Sequence, residues 1–180
     1  MPMKPLRILT AFLLLVTSAL ASAGTPGEIN VGGILPETTL TGLSGPTKKL
    51  LAFRGKPLII NVWASWCGPC RAEMGSLERL SRYKDGKEFA VIGISTDDYP
   101  EAALAFLKLA KTTFPHFIDH QLVLENMLGA NHIPLTVLVD ARGKVLGKYY
   151  GAQPWDSPQA LAVISQAFGL PAPNKMGAGK

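Results

Sequence analysis

Residues 58–74 read LIINVWASWCGPCRAEM, and the two halves of this stretch follow different periodicities. Leu58 to Trp63 is a near-continuous apolar run behind Gly55-Lys56-Pro57, the pattern of a strand buried on both faces. From Pro69 to Tyr83 the period changes: Met74, Leu77, Leu80 and Ser81 recur at helical spacing, and Asp85-Gly86 ends the run. Ala90 to Ser95 reads as a second buried strand. Strand, helix and strand in this order imply a right-handed parallel crossover. At the junction of the first strand and its helix stand Cys67 and Cys70, the two cysteines of the chain.

Further along, Asp98 and Glu101 have the spacing of a capping box, and Ala103, Phe106, Leu107 and Ala110 form one apolar helical stripe. His116-Phe117-Ile118 suits a short strand, and Leu122 to Leu128 a short helix closed by Gly129. Leu135 to Val139 and Lys144 to Tyr150 read as a hairpin turning at Ala141-Arg142-Gly143. Ser157 as N-cap with Pro158 at the first helical position opens a last helix, with Leu161, Ile164 and Phe168 on its inner face. The whole is α/β with a mixed sheet whose C-terminal edge is antiparallel.

With 180 residues, 47% hydrophobic and 17% charged, the chain has material for one domain with a core plus a targeting segment. Lys4 and Arg7, then Ile8 to Val16, then Ala21-Ser22-Ala23 have the n-region, h-region and small-x-small cut site of a signal peptide. Residues 1–23 are therefore expected to be removed. A retained inner-membrane anchor is the alternative, but Ile8 to Ala23 falls short of the roughly 20 apolar residues that span a bilayer. Residues 24–33 read as a flexible leader, 34–170 as the folded domain and 171–180 as a flexible tail. The formal charge of +5 is scattered, Lys48-Lys49 being its one basic pair after the signal segment, which argues against a nucleic-acid partner.

The chemistry is expected at Trp66-Cys67-Gly68-Pro69-Cys70. Unpaired N–H groups and the positive end of a helix favour thiolate over thiol, and two cysteines three apart close a disulfide with little backbone movement. Cys67, at the outer end, is the expected nucleophile and Cys70, one turn in, the resolving thiol. Pro69 fits the first turn, where its missing N–H is not needed. A purely stabilising disulfide is disfavoured because so small a loop removes little unfolded-state entropy. A zinc site completed by His116 and His120 is disfavoured by residues 71–115 between the pairs, too long and structured a spacer for a compact finger.

WCGPC behind NVW resembles the thioredoxin superfamily, and the string from Asn61 to Met74 resembles its TlpA/ResA-like group of exported thiol:disulfide oxidoreductases. The likeness runs from about Leu35 to Phe168. It includes Ile133-Pro134 at the superfamily's cis-proline position and a long segment between Ser95 and Pro134, like the strand-helix insertion of that group. The resemblance implies a thioredoxin fold, α/β with a mixed central sheet flanked by helices, a strand-helix insertion and an N-terminal β-hairpin. Three positions depart from the pattern: Asn61 stands where thioredoxin has a buried aspartate, Leu135 where threonine is common, and Gly75 where the group often has proline. Glu73 is then the candidate proton acceptor, an exposed helix-face acid being its plainer reading; Trp66, Gly68, Pro69, Asn61, Ile133 and Pro134 are the supporting residues.

By the same resemblance the protein is expected to work as a periplasmic reductant without an organic cofactor. Its clients would be oxidised periplasmic proteins such as apocytochrome c or copper-site assembly proteins, and its electron donor a membrane thiol carrier. Two rivals stand beside this reading. An oxidase or isomerase of the DsbA kind is opposed by the Gly68-Pro69 dipeptide, and a metal-delivery module would use the cysteines as soft ligands.

Overall fold

A computed structural model describes residues 25–172, so the expected signal segment and nearly all of the expected tail lie outside the described residues. A hairpin of β1 (Thr39–Gly42) and β2 (Lys48–Lys49) precedes β3 (Leu58–Trp63), α1 (Gly68–Ser81), β4 (Ala90–Ser95) and α2 (Pro100–Ala110). Then come β5 (His116–Ile118), α3 (Val123–Leu128), β6 (Leu135–Val139), β7 (Val145–Tyr150) and α4 (Pro158–Phe168). The strands form one sheet in the order β2-β1-β5-β4-β3-β6-β7, with β3, β4 and β5 mutually parallel and the remaining pairs antiparallel. This is the expected thioredoxin-like mixed sheet. The inserted strand β5 joins the N-terminal hairpin to the sheet, and α3 completes the insertion.

Strand β3 is central because all six of its residues tolerate burial. Ile59 and Trp63 face a core built with Met74, Leu77 and Leu80 of α1, Phe106 of α2 and Leu161 and Ile164 of α4. Leu58, Ile60 and Val62 face the other core, with Ile92, Phe117, Leu128 and Val137. The alternation follows from the pleat of a strand with both faces covered. At the start of α4, Ser157 Oγ accepts the Ala160 N–H at 3.2 Å, the expected cap, a contact of about 1 kcal/mol.

Three local expectations are corrected. Residues 25–33, expected as a flexible leader, are docked: Ile29 N–H donates to Met127 O, Gly32 N–H to Val145 O, and Glu28 pairs with Lys148. Helix α1 ends at Ser81, two residues early, and a tight turn over Tyr83–Gly86 follows. Asp98 does not cap α2: Tyr99 holds the N-cap position without a side-chain bond, and Pro100 fills the first helical position. The short helix α3 is capped from a distance by Asp119, whose carboxylate accepts the N–H groups of Val123 and Glu125 at 3.0 and 2.8 Å.

His116, weighed above as a metal ligand with His120, is enclosed between Trp63 and Phe114, and neither ring nitrogen has a hydrogen-bond partner. His120 is exposed. Gly93 makes the space, since a Cβ there would lie 2.2 Å from His116 Nδ1. Burial pushes the imidazole pKa down to about 3. The unfolded chain takes this proton near the ordinary 6.5, so stability is lost as pH falls from 6.5 towards 3, by about 5 kcal/mol in all at 1.36 kcal/mol per unit. Urea unfolding at pH 7 and pH 4 should therefore show a drop about 3 kcal/mol larger for the wild type than for His116→Leu. Equal drops would show that His116 does not carry the acid sensitivity.

Candidate active site

Four residues, Ala64 to Cys67, connect β3 to α1 at the carboxyl end of the parallel strands, where α/β sheets place their sites. Cys67 N–H donates to Ala64 O at 3.2 Å, a turn that sets Cys67 as the N-cap of α1. Its Sγ accepts the Cys70 N–H at 3.2 Å, and the two sulfurs are joined in a disulfide, 1.99 Å apart. A thiolate formed at Cys67 would sit on a helix N-terminus, where free N–H groups and the helix dipole stabilise it. Gly68 and Pro69 are exposed, and a Cβ at Gly68 would meet nothing.

Cys67 is less open than expected, at 5% exposure, while Cys70 is fully enclosed. The cover is Ile133, whose carbonyl oxygen lies 3.8 Å from Cys67 Sγ and whose bond to Pro134 is cis. Trp66, beside Cys67 in the loop, is 71% exposed. With Ile133, Thr96, Asp98, Leu122 and Glu125 it lines a groove of about 390 Å³.

Glu73 is 3% exposed, which rules out the reading as a surface acid. Its Oε1 accepts from Asn61 Nδ2 at 2.8 Å, and its Oε2 accepts from Gln153 N–H at 3.1 Å and Trp155 Nε1 at 3.0 Å. Burial pushes the carboxyl above the ordinary carboxylate range, with the bonds from Gln153, Asn61 and Trp155 pulling the other way. Asn61 also donates to Thr136 Oγ1 at 3.1 Å, and its own Oδ1 is buried without a partner. Gly75 leaves an open helix face, met only by Arg79 at 3.5 Å.

The structure thus brings Cys67, Cys70, Ile133, Pro134, Glu73 and Asn61 into one region. It adds four residues that sequence reading passed over. Thr136, Gln153 and Trp155 complete the Glu73 network, and Asp97, 2% exposed, binds the loop that carries Cys67. The available signal for Asp97 was its position: a Ser-Thr-Asp run that ends a buried parallel strand, at the strand ends where sites form.

The sequence pattern of the Redoxin family matches residues 30–164. A thiol-disulfide oxidoreductase ResA of Bacillus thuringiensis subsp. konkukian is 31% identical over 127 residues, 70% of this chain and 73% of that protein. The ResA of Geobacillus thermodenitrificans is 30% identical over 117 residues, 65% of this chain and 67% of the relative. Among solved structures, a protein of Chlorobium tepidum described as a thiol:disulfide interchange protein DsbE superposes with a TM-score of 0.66 at 28% identity, over 72% of this chain and 91% of that one. The thioredoxin domain of an oxidoreductase of Bacteroides vulgatus, at 23% identity and a TM-score of 0.63 over 72% of this chain and 94% of that one, shares the fold.

Proposed function

The chain belongs to the Redoxin family and is a thiol:disulfide oxidoreductase, and from that premise we propose that it is a periplasmic reductant of protein disulfides. The observation that carries the direction of electron flow is the Cys67-Gly68-Pro69-Cys70 turn, whose dipeptide is that of the reducing thioredoxins. Cys67 is the nucleophile and Cys70 the resolving thiol.

In the reduced protein, the Cys67 thiolate attacks one sulfur of a client disulfide. The client S–S bond breaks, its second sulfur leaves as a thiolate and takes a proton, and Cys67 is joined to the client. Cys70 then loses its proton and attacks Cys67 Sγ, releasing the client sulfur that Cys67 had attacked, which takes a proton in turn. Two electrons have moved: the client is a dithiol and the protein carries the Cys67–Cys70 disulfide. An external dithiol, for which a membrane thiol carrier is the proposed source, restores the reduced pair. Oxidised apocytochrome c and copper-site assembly proteins are the proposed clients. Equilibration with glutathione buffers tests the direction, which is reducing if the pair has the more negative potential.

Glu73 is the proposed acceptor for the Cys70 proton, since it lies one helical turn beyond that thiol and its burial raises its affinity for a proton. A half-turn of the Asn61 amide would present the unpartnered Oδ1 to a protonated Glu73, so the network can serve both states. Glu73→Gln should fold, because the same turn satisfies the new amide, and should displace the pH dependence of Cys70 alkylation in the reduced protein. Superimposable alkylation curves for variant and wild type would leave Glu73 as a clamp on Gln153 and Trp155 alone.

A further inference from the structure

The Ala64–Cys67 loop is held at one end by strand β3 and at the other by helix α1, and among the described residues one side chain from outside it hydrogen-bonds it: Asp97. Asp97 Oδ2 accepts the Ser65 N–H at 2.9 Å, and Oδ1 accepts the Ser65 hydroxyl at 2.6 Å. The carboxylate is itself fixed, because Ser95 Oγ donates to Oδ2 at 2.7 Å and accepts the Asp97 N–H at 3.2 Å. Next to it, Thr96 N–H donates to Trp63 O at 2.9 Å, stitching the same segment to the end of β3. A buried carboxylate is costly unless its oxygens are satisfied. Here three donors satisfy it, two of them from the residue two places before Cys67.

We propose that Asp97 is the positioning residue of the dithiol, fixing the loop on β4 so that Cys67 Sγ keeps both its approach to a client disulfide and its contact with the Cys70 N–H. The inference rests on the reading of Cys67 as nucleophile. Thiol–disulfide exchange needs the attacking sulfur aligned with the bond it breaks, and a misplacement of about 1 Å costs about a hundredfold in rate. A loop freed from Asp97 also loosens the 3.2 Å bond from the Cys70 N–H to Cys67 Sγ, one of the contacts that favour the thiolate.

Two substitutions separate geometry from charge. In Asp97→Asn, an amide oxygen at the Oδ2 place keeps the bonds from Ser65 N–H and Ser95 Oγ, and the amide nitrogen at the Oδ1 place donates to the Ser65 hydroxyl once that hydroxyl rotates. Asp97→Ala removes both acceptor oxygens and with them all three bonds. With the reduced protein and dithiodipyridine as disulfide, Asp97→Ala is expected to react about a hundredfold more slowly, and Asp97→Asn within about threefold of wild type. The iodoacetamide pH profile of Cys67 should move towards the ordinary thiol value of about 8.5 in the alanine variant and stay in place in the asparagine variant. Folding is checked by the thermal transition; if Asp97→Ala does not fold, Ser65→Ala carries the test, losing the hydroxyl arm and about tenfold in rate.

A folded Asp97→Ala with wild-type rate and profile, an unchanged Ser65→Ala, or an asparagine variant as impaired as the alanine one would overturn the proposal. Wild-type protein in which Cys70 is alkylated before Cys67 would remove the nucleophile assignment and this inference with it. Cys67 first, with unmoved variants, would remove this inference alone.

Discussion

A Cys70→Ser variant accumulates disulfide-linked complexes with its clients, and a Cys67→Ser variant accumulates almost none. The asymmetry follows from the positions of the two sulfurs: Cys67 Sγ stands at the start of α1 beside the groove, and Cys70 is wholly enclosed one turn inside. In the wild type, resolution is intramolecular, and aligned reactions of that kind reach effective molarities of about 10⁵ M. Without Cys70, a mixed disulfide on Cys67 waits for an external thiol at about millimolar concentration, so its lifetime lengthens by many orders of magnitude even if alignment is far from ideal. Non-reducing gels of alkylated extracts read the outcome directly. Equal trapping by both variants, or trapping by Cys67→Ser alone, would reverse the roles of the two cysteines.

The central strand and its helix were legible because each is written locally. Six consecutive residues that accept burial make β3, and a change of period marks α1. The cis Ile133–Pro134 bond was legible through resemblance, not through any property of the dipeptide itself. What sequence could not show is which segments meet. Glu73 occupies a helix position against which Gln153 and Trp155 are brought from some 80 residues away, beside Asn61 of β3. Residues 25–33 read as a leader from their Gly and Pro content, yet they are docked by backbone bonds to Val145 and Met127 and by the Glu28–Lys148 pair, whose partners lie more than 90 residues away in the sequence. Asp97 and Asp98 are adjacent and chemically identical, and only the fold distinguishes the one that turns inward to Ser65 from the one that remains in solvent.

The same distinction between local chemistry and context bears on the direction of electron flow, where the expected effect is largest. The potential of the Cys67/Cys70 couple is set by the acidity of the attacking thiol and the stability of the reduced pair, and under the proposed reading the Gly68-Pro69 dipeptide is expected to put it nearer thioredoxin, about −270 mV, than DsbA, about −120 mV. At about 30 mV per tenfold change, that interval is roughly five orders of magnitude in equilibrium constant. In an oxidising compartment such a pair stays reduced only while a donor keeps supplying electrons. The expected result is that alkylation trapping in intact cells finds Cys67 and Cys70 mostly reduced, and that deletion of the proposed donor, a membrane thiol carrier, turns them mostly into the disulfide. Glutathione equilibration of the purified protein should give the matching low potential. A pair already oxidised in the intact strain, together with a potential close to that of DsbA, would mean that electrons run the other way: the Cys67–Cys70 disulfide would then be the form that meets clients, oxidising their thiols instead of reducing their disulfides.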